Sequence, residues 1–142
     1  MPVTKLIVTY DYDFDLYGII SSAKEYKLAW QVNKEMRISL AKEEDLDFEF
    51  LNDGAMYISN FKYVASYDSV RLLKNRAVEA RNVQKPFLIP ELKNFDYLLQ
   101  VDRETDAFVP DILLEKLRKA STIQFINPVD PYKLHSKDNL IY

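Results

Sequence analysis

Leu46-Asp47-Phe48-Glu49-Phe50-Leu51-Asn52-Asp53-Gly54-Ala55-Met56-Tyr57-Ile58 alternates apolar or aromatic residues with acids, reaches a turn tripeptide, and resumes as an apolar run. Successive side chains of a strand point to opposite faces, so Leu46 to Leu51 reads as a half-buried strand. Asn, Asp and Gly tolerate the positive φ of tight turns, so Asn52-Asp53-Gly54 predicts a hairpin into a long second strand, Ala55 to Tyr67. Along that run Tyr57, Phe61, Tyr63 and Tyr67 share one face, and Met56, Ile58 and Val64 share the other. Bulk on both sides predicts a central strand.

Upstream of the hairpin, Lys5 to Thr9 is short, β-branched and apolar and reads as an opening strand, and Ile38 to Leu40 reads as another. Between them Ser22-Ala23-Lys24-Glu25 pairs a hydroxyl with a carboxylate three residues later, the pattern that satisfies free amides at a helix start. The spacing of Tyr26, Ala29, Trp30, Asn33 and Met36, flanked by Leu28 and Val32, predicts an amphipathic helix over 23–36. Downstream, Ser66 to Ser69 marks a turn, Val70 to Lys74 a strand, and the polar Asn75 to Lys85 a loop. Phe95, Tyr97, Leu99 and Val101 alternate with Asp96, Leu98, Gln100 and Asp102 as a further strand. Pro110 fits the first turn of a second helix whose buried stripe is Leu113, Leu114, Leu117 and Ala120. Thr122 to Ile126 reads as the last strand, closed by turns at Asn127-Pro128 and Asp130-Pro131. The order of elements predicts a single α+β domain over 1–142, an antiparallel meandering sheet of about five to six strands with two amphipathic helices on one face.

A chain of 142 residues is long enough to bury one continuous core. Hydrophobic residues at 48% and charged residues at 29% are the balance of an ordinary soluble domain, not of a disordered tail. Ten Tyr and eight Phe favour β-structure and a core or contact surface built from rings. The absence of cysteine rules out disulfides, thiolate metal sites and a cysteine nucleophile, and suits a cytoplasmic location. Met1 to Tyr10 carries only the short apolar run Leu6-Ile7-Val8, which predicts neither export nor membrane insertion.

Gly18 and Gly54 are the only two glycines, too few for the phosphate-cradling loops of Walker or dinucleotide-binding sites or for a G-x-S-x-G nucleophile elbow. The single histidine, His135, stands among Lys133, Ser136 and Lys137 and reads as a solvated surface residue. Asp11, Asp13 and Asp15 put carboxylates on one side of an extended segment, where hard cations find oxygen ligands. An EF-hand counted from Asp11 fails, with Leu16 where the glycine and Ser22 where the glutamate belong. No metal and no cofactor are expected. Glu91 and Asp96 could serve as an acid and base pair if burial separated their pKa values. The simpler role is structural, with Pro90 barring helix, Glu91 taking backbone amides at a turn, and Asp96 anchoring a neighbouring strand beside Tyr97.

Net charge is −3, yet between residues 71 and 85 Arg71, Lys74, Arg76, Arg81 and Lys85 face Glu79 alone. Such asymmetry marks a contact surface. With the rings of Tyr57, Phe61 and Tyr63 it suggests a macromolecular interface, although no RNP1-like pattern is present.

Ile89-Pro90-Glu91-Leu92-Lys93-Asn94-Phe95-Asp96-Tyr97 resembles the motif that names the IPExxxVDY family of small bacterial proteins without an assigned activity, with Phe95 in place of the valine. Asp13-Phe14, Gly18-Ile19, Tyr26 to Trp30, Asn75-Arg76 and Leu134 to Leu140 also look like family features, so the resemblance runs nearly the full length. It implies no catalytic or ligand residues. The expected function is a non-enzymatic binding or adaptor protein acting on another macromolecule, or on a second copy as a homodimer, through the ring-bearing sheet face or the 71–85 segment. The alternatives are RNA binding by the basic loop, which is not the favoured partner, and a carboxylate-based enzyme around Glu91 and Asp96. No membrane partner is expected.

Overall fold

Residues 12–142 are described by the computed structural model. In chain order they form β1 (Asp15–Ile20), α1 (Glu25–Met36), β2 (Ala41–Lys42), β3 (Leu46–Glu49), β4 (Ala55–Ile58), β5 (Asn60–Val64), β6 (Ser69–Lys74), β7 (Glu79–Arg81), β8 (Tyr97–Asp102), α2 (Pro110–Leu117) and β9 (Phe125–Val129). The strand expected over 5–9 lies outside the described residues. The fold is α+β. A six-stranded sheet runs in the order β2-β5-β6-β8-β1-β9, and a three-stranded sheet in the order β3-β4-β7.

Every pairing in both sheets is antiparallel. The meander is interrupted where β1 inserts between β8 and β9. Those two strands are therefore parallel to each other, and α2 is the crossover between them, a split βαβ unit.

The strict alternation of β8 explains the layers. Tyr97, Leu99 and Val101 pack with Leu28 and Val32 of α1 and with Leu113 and Leu117 of α2. Both helices thus lie on one face. Leu98 points the other way, into a second cluster with Leu16, Met56, Ile58, Leu73, Leu88 and Ile89, completed by Leu134 and Leu140 near the carboxyl end. The small sheet and the last residues cover the face that the helices leave. Full burial of each such side chain contributes about 1.5–3 kcal/mol.

Asn52-Asp53-Gly54 does turn β3 into β4, with Asp53 at φ 62° and the Gly54 amide donating to Asn52 Oδ1 at 3.0 Å. The long strand expected over 55–67 is two strands, one in each sheet. The break falls at Ser59, whose hydroxyl accepts from Lys42 Nζ at 2.6 Å and whose carbonyl accepts from the Lys74 amide at 3.0 Å. Buried Asn60 follows, donating from Nδ2 to the Glu44 carbonyl at 2.8 Å. Two polar residues inside an apolar run take hydrogen bonds from other segments, so the chain changes sheets there.

Other boundaries differ for equally local reasons. Helix α1 begins at Glu25 with Lys24 as N-cap and no side-chain cap, because Ser22 exchanges hydrogen bonds with the Gln124 side chain. Its buried stripe is Leu28, Ala29, Gln31, Val32 and Met36, while Tyr26 and Trp30 are 65% and 61% exposed. The expected stripe was rotated by the two large rings. Ile38 to Leu40 is not a strand, since Asn33 binds both the amide and the carbonyl of Leu40 and holds the chain against the end of α1. The polar 75–85 stretch contains β7, paired to β4. Strand β9 runs through Pro128, which costs no ladder bond because β9 is the sheet's edge.

Gly18 is required by close approach. A Cβ there would lie 2.5 Å from Phe95 Cδ1, and the Phe95 ring is backed by Phe125 in a stack with centroids 6.2 Å apart. Gly18→Ala should therefore cost about 1–3 kcal/mol through overpacking. In a Phe95→Val background the same change should cost less than half as much, as read from a double-mutant cycle of urea unfolding curves.

Candidate functional site

The quoted motif is built around one buried amide. Asn75, fully inaccessible, donates from Nδ2 to the carbonyls of Leu92 at 2.8 Å, Phe95 at 3.2 Å and Ile89 at 3.4 Å, and its Oδ1 accepts from the Ile89 amide at 2.9 Å. Its backbone accepts from the Leu88 amide at 2.7 Å and donates to the Asp96 carbonyl at 3.0 Å. Between these anchors Pro90 opens a single 3-10 turn, Pro90–Leu92.

The motif's polar side chains reach outward from this knot to distant parts of the chain. Glu91 Oε2 accepts from the Ser136 amide at 2.8 Å, Asp96 Oδ2 accepts from the Ser21 amide at 2.9 Å, and the Tyr97 hydroxyl donates to the Ala23 carbonyl at 2.7 Å. Burial, with the charges of Glu25 and Asp96 adding to it, pushes the Tyr97 hydroxyl up to about 12. Partial burial works to raise Glu91, but hydrogen bonds from its own amide, from Ser136 and from the His135 amide together hold it below the ordinary carboxylate value. Glu91 and Asp96 thus each spend an oxygen on a backbone amide, and on different segments.

Of the acids near the amino terminus, Asp13 and Asp15 turn to different partners. Asp15 pairs with Arg103 Nε at 2.5 Å, Asp13 accepts from the Tyr132 hydroxyl at 3.3 Å, and Asp11 lies outside the described residues. Among the described residues no group of three or more His, Asp or Glu side chains could hold a metal ion.

The expected ring-bearing sheet face is not a free surface. Phe61 is buried under the helices, Tyr63 packs half-buried against the same core, and Tyr57 lies half-buried on the small sheet. Period two placed them correctly on one side of the run, but the break at Ser59 divided them between sheets.

The basic segment is also divided. Arg71 lies in a cavity beside Tyr142, and Arg81 and Lys85 are exposed on and beyond β7. Lys74 and Arg76 instead join Lys93 around a cavity of about 280 Å³ walled by Phe87, Phe95 and Tyr97. A second cavity of about 450 Å³ shares Lys74 and Tyr97 and continues along Lys24 and Tyr26 at the start of α1. The two form one groove. The Arg76 guanidinium sits 5.6 Å from the centre of the Phe87 ring. Lys74, Arg76 and Lys93 have no carboxylate within 4.0 Å among the described residues. Asp96 borders the groove, yet one of its oxygens is taken by Ser21. Lys24, Tyr26 and Lys93 were not singled out by sequence, because they come from separate segments and no spacing links them to Lys74.

No protein-family model matches this chain, and no curated protein matches it significantly.

Asn75→Ala would leave the Phe95 carbonyl and the Ile89 amide without partners and take one of two donors from the Leu92 carbonyl, which keeps the Phe95 amide at 2.9 Å, at roughly 1–3 kcal/mol for each unsatisfied group. It should lower unfolding free energy by about 3 kcal/mol or more in urea titrations. Glu91 carries a pH signature of defined sign. Its folded pKa lies below the ordinary 4.5, so the stability it contributes is complete above that value and is lost as pH falls through the lowered one. Urea midpoints measured from neutral to acidic pH should fall less steeply for Glu91→Gln than for the unsubstituted chain.

Proposed function

We propose that this chain is a non-enzymatic cytoplasmic binding protein whose contact surface is the groove of Lys74, Arg76 and Lys93, and whose partner is an acidic, ring-bearing segment of another protein. The observation that carries this reading is the convergence of three cations without an ion-pair partner among the described residues, in a chain of net charge −3. Unpaired charge beside half-buried rings favours a partner that supplies both carboxylates and apolar contact. The amide bonds accepted by Glu91 and Asp96 support a structural role for both, and so favour binding over carboxylate-based catalysis. Membership of the IPExxxVDY family is part of the same proposal, since the motif supplies Lys93, Phe95, Asp96 and Tyr97 to the groove wall.

Single-stranded RNA is the second reading, favoured by the same three cations. It is the weaker one because the exposed ring surface in the groove is already shared, Phe87 with Arg76 and Phe95 with Phe125. Fluorescence anisotropy with a labelled peptide of alternating Glu and Phe, and with an RNA oligonucleotide of equal charge, separates the two. The peptide should bind more tightly, and Lys74→Glu with Arg76→Glu should weaken it by about tenfold or more. Tighter RNA binding with a steep fall in rising salt would transfer the function to nucleic acid. Binding of neither probe would remove the groove as the contact surface.

A further inference from the structure

A cavity of about 300 Å³ opens on the sheet face opposite the helices, between β5, β6, β8 and the last residues of the chain, and it shares no lining residue with the groove. Its floor is set by register. Lys62 lies opposite Arg71, Arg71 opposite Gln100, and Ser69 opposite Asp102. Residues directly opposite on antiparallel strands share a face, so Lys62, Arg71 and Gln100 form one row and Ser69 and Asp102 begin the next, two residues along.

Tyr142 forms the roof. Its hydroxyl donates to Gln100 Oε1 at 2.6 Å, and its ring centre lies 4.6 Å from the Arg71 guanidinium carbon. Gln100 Nε2 in turn donates to the Leu140 carbonyl at 3.1 Å and fixes the tail that carries the roof. Phe14 and Leu140 supply apolar wall.

Two opposite charges face this space without meeting. Arg71 makes one long side-chain hydrogen bond, from Nη1 to Asn60 Oδ1 at 3.4 Å, and has no carboxylate within 4.0 Å among the described residues. A guanidinium carries five donors, so most of its capacity is unspent. Among the described residues Lys62 likewise has no ion-pair partner, and Asp102 has no cation within 4.0 Å. Burial raises the Asp102 carboxyl above its ordinary value despite the Ser69 hydroxyl and the nearby Arg71 charge. Arg71 and Lys62 are partly shielded and Asp102 lies at the open rim, so a molecule carrying both signs of charge can span them.

We propose that this cavity binds a small zwitterion, a free α-amino acid, with its carboxylate on Arg71 and Lys62, its ammonium on Asp102, and its side chain against Phe14 and Leu140. The volume sits at the lower end of ligand cavities, about 300–1,000 Å³, as suits a molecule of that size. Ligand and tail are coupled, since the Gln100 side chain that borders the row of cations also holds Tyr142 and Leu140.

The test is calorimetric titration of the intact chain with each of the twenty free L-amino acids, and with des-amino and decarboxylated analogues of any that bind. Amide shifts of the unsubstituted, isotope-labelled chain are followed in parallel. At least one amino acid should bind with Kd of about 1 mM or tighter, with both analogues weaker by about tenfold. Arg71→Gln and Asp102→Asn should each weaken it by about tenfold or more, with circular dichroism confirming that the variants fold. In the unsubstituted chain the shifts should centre on residues 69–71, 100–102 and 140–142, a readout that needs no variant. The proposal is overturned if no amino acid moves those amides, if a des-amino analogue binds as tightly as its parent, or if folded variants bind unchanged.

Discussion

One carboxamide holds this molecule together. Asn75 ends β6 and is inaccessible to water, and its side chain satisfies three carbonyls and one amide of the segment that leads into β8. That segment has no ladder of its own to join before β8 begins, so without Asn75 the Ile89 amide and the Phe95 carbonyl would lose the partners that hold them. Because they are paired, the Pro90 turn is held against the body of the fold, Leu88 and Ile89 can fill the second core, and Tyr97 can enter β8 with its ring under the helices. The carboxylates of the motif then tie this centre to Ser21 and Ser136, segments more than a hundred residues apart in the chain.

The six-stranded sheet is buried on both faces, and that double burial decides where function can reside. Helices occupy one side, and the small sheet with the carboxyl-terminal turns occupies the other. Rings that a flat, open sheet would have presented to a partner are spent on packing. Two of the accessible places are seams: the groove where β6 ends beside the start of α1, and the cavity where the covering layer stops short over β5, β6 and β8. Both are lined by charge because both lie where the apolar layers end.

Much of the architecture was legible in the sequence where periodicity was strong and local. The alternation of residues 97–102, the Asn52-Asp53-Gly54 turn, Pro110 at a helix start and the Leu113, Leu114, Leu117 stripe all follow from short-range rules. The errors have a common cause, which is that nonlocal partners overrode local preference. Ser22 looked like a cap until Gln124, a hundred residues away, claimed it; Ser59 looked like a strand interior until Lys42 and Lys74 bonded to it. Trp30 and Tyr26 were assigned to the buried stripe by their helical spacing, although the flanking Leu28 and Val32 define it. The site was less legible than the fold for the same reason. The cations of the 71–85 stretch stand out by charge, but only tertiary structure sends Arg71 to one cavity and Lys74 and Arg76 to another, and brings Lys93 and Lys24 beside them.

The borders of the main sheet have a consequence for how copies of the chain meet. One border is β2, only two residues long, and the other is β9, interrupted by Pro128. Neither offers a long unbroken row of free amides and carbonyls, so templated addition of further strands, the route to fibres, is disfavoured at the borders of this sheet. In a protein this rich in tyrosine and phenylalanine, such borders discourage the main sheet from polymerising through its backbone.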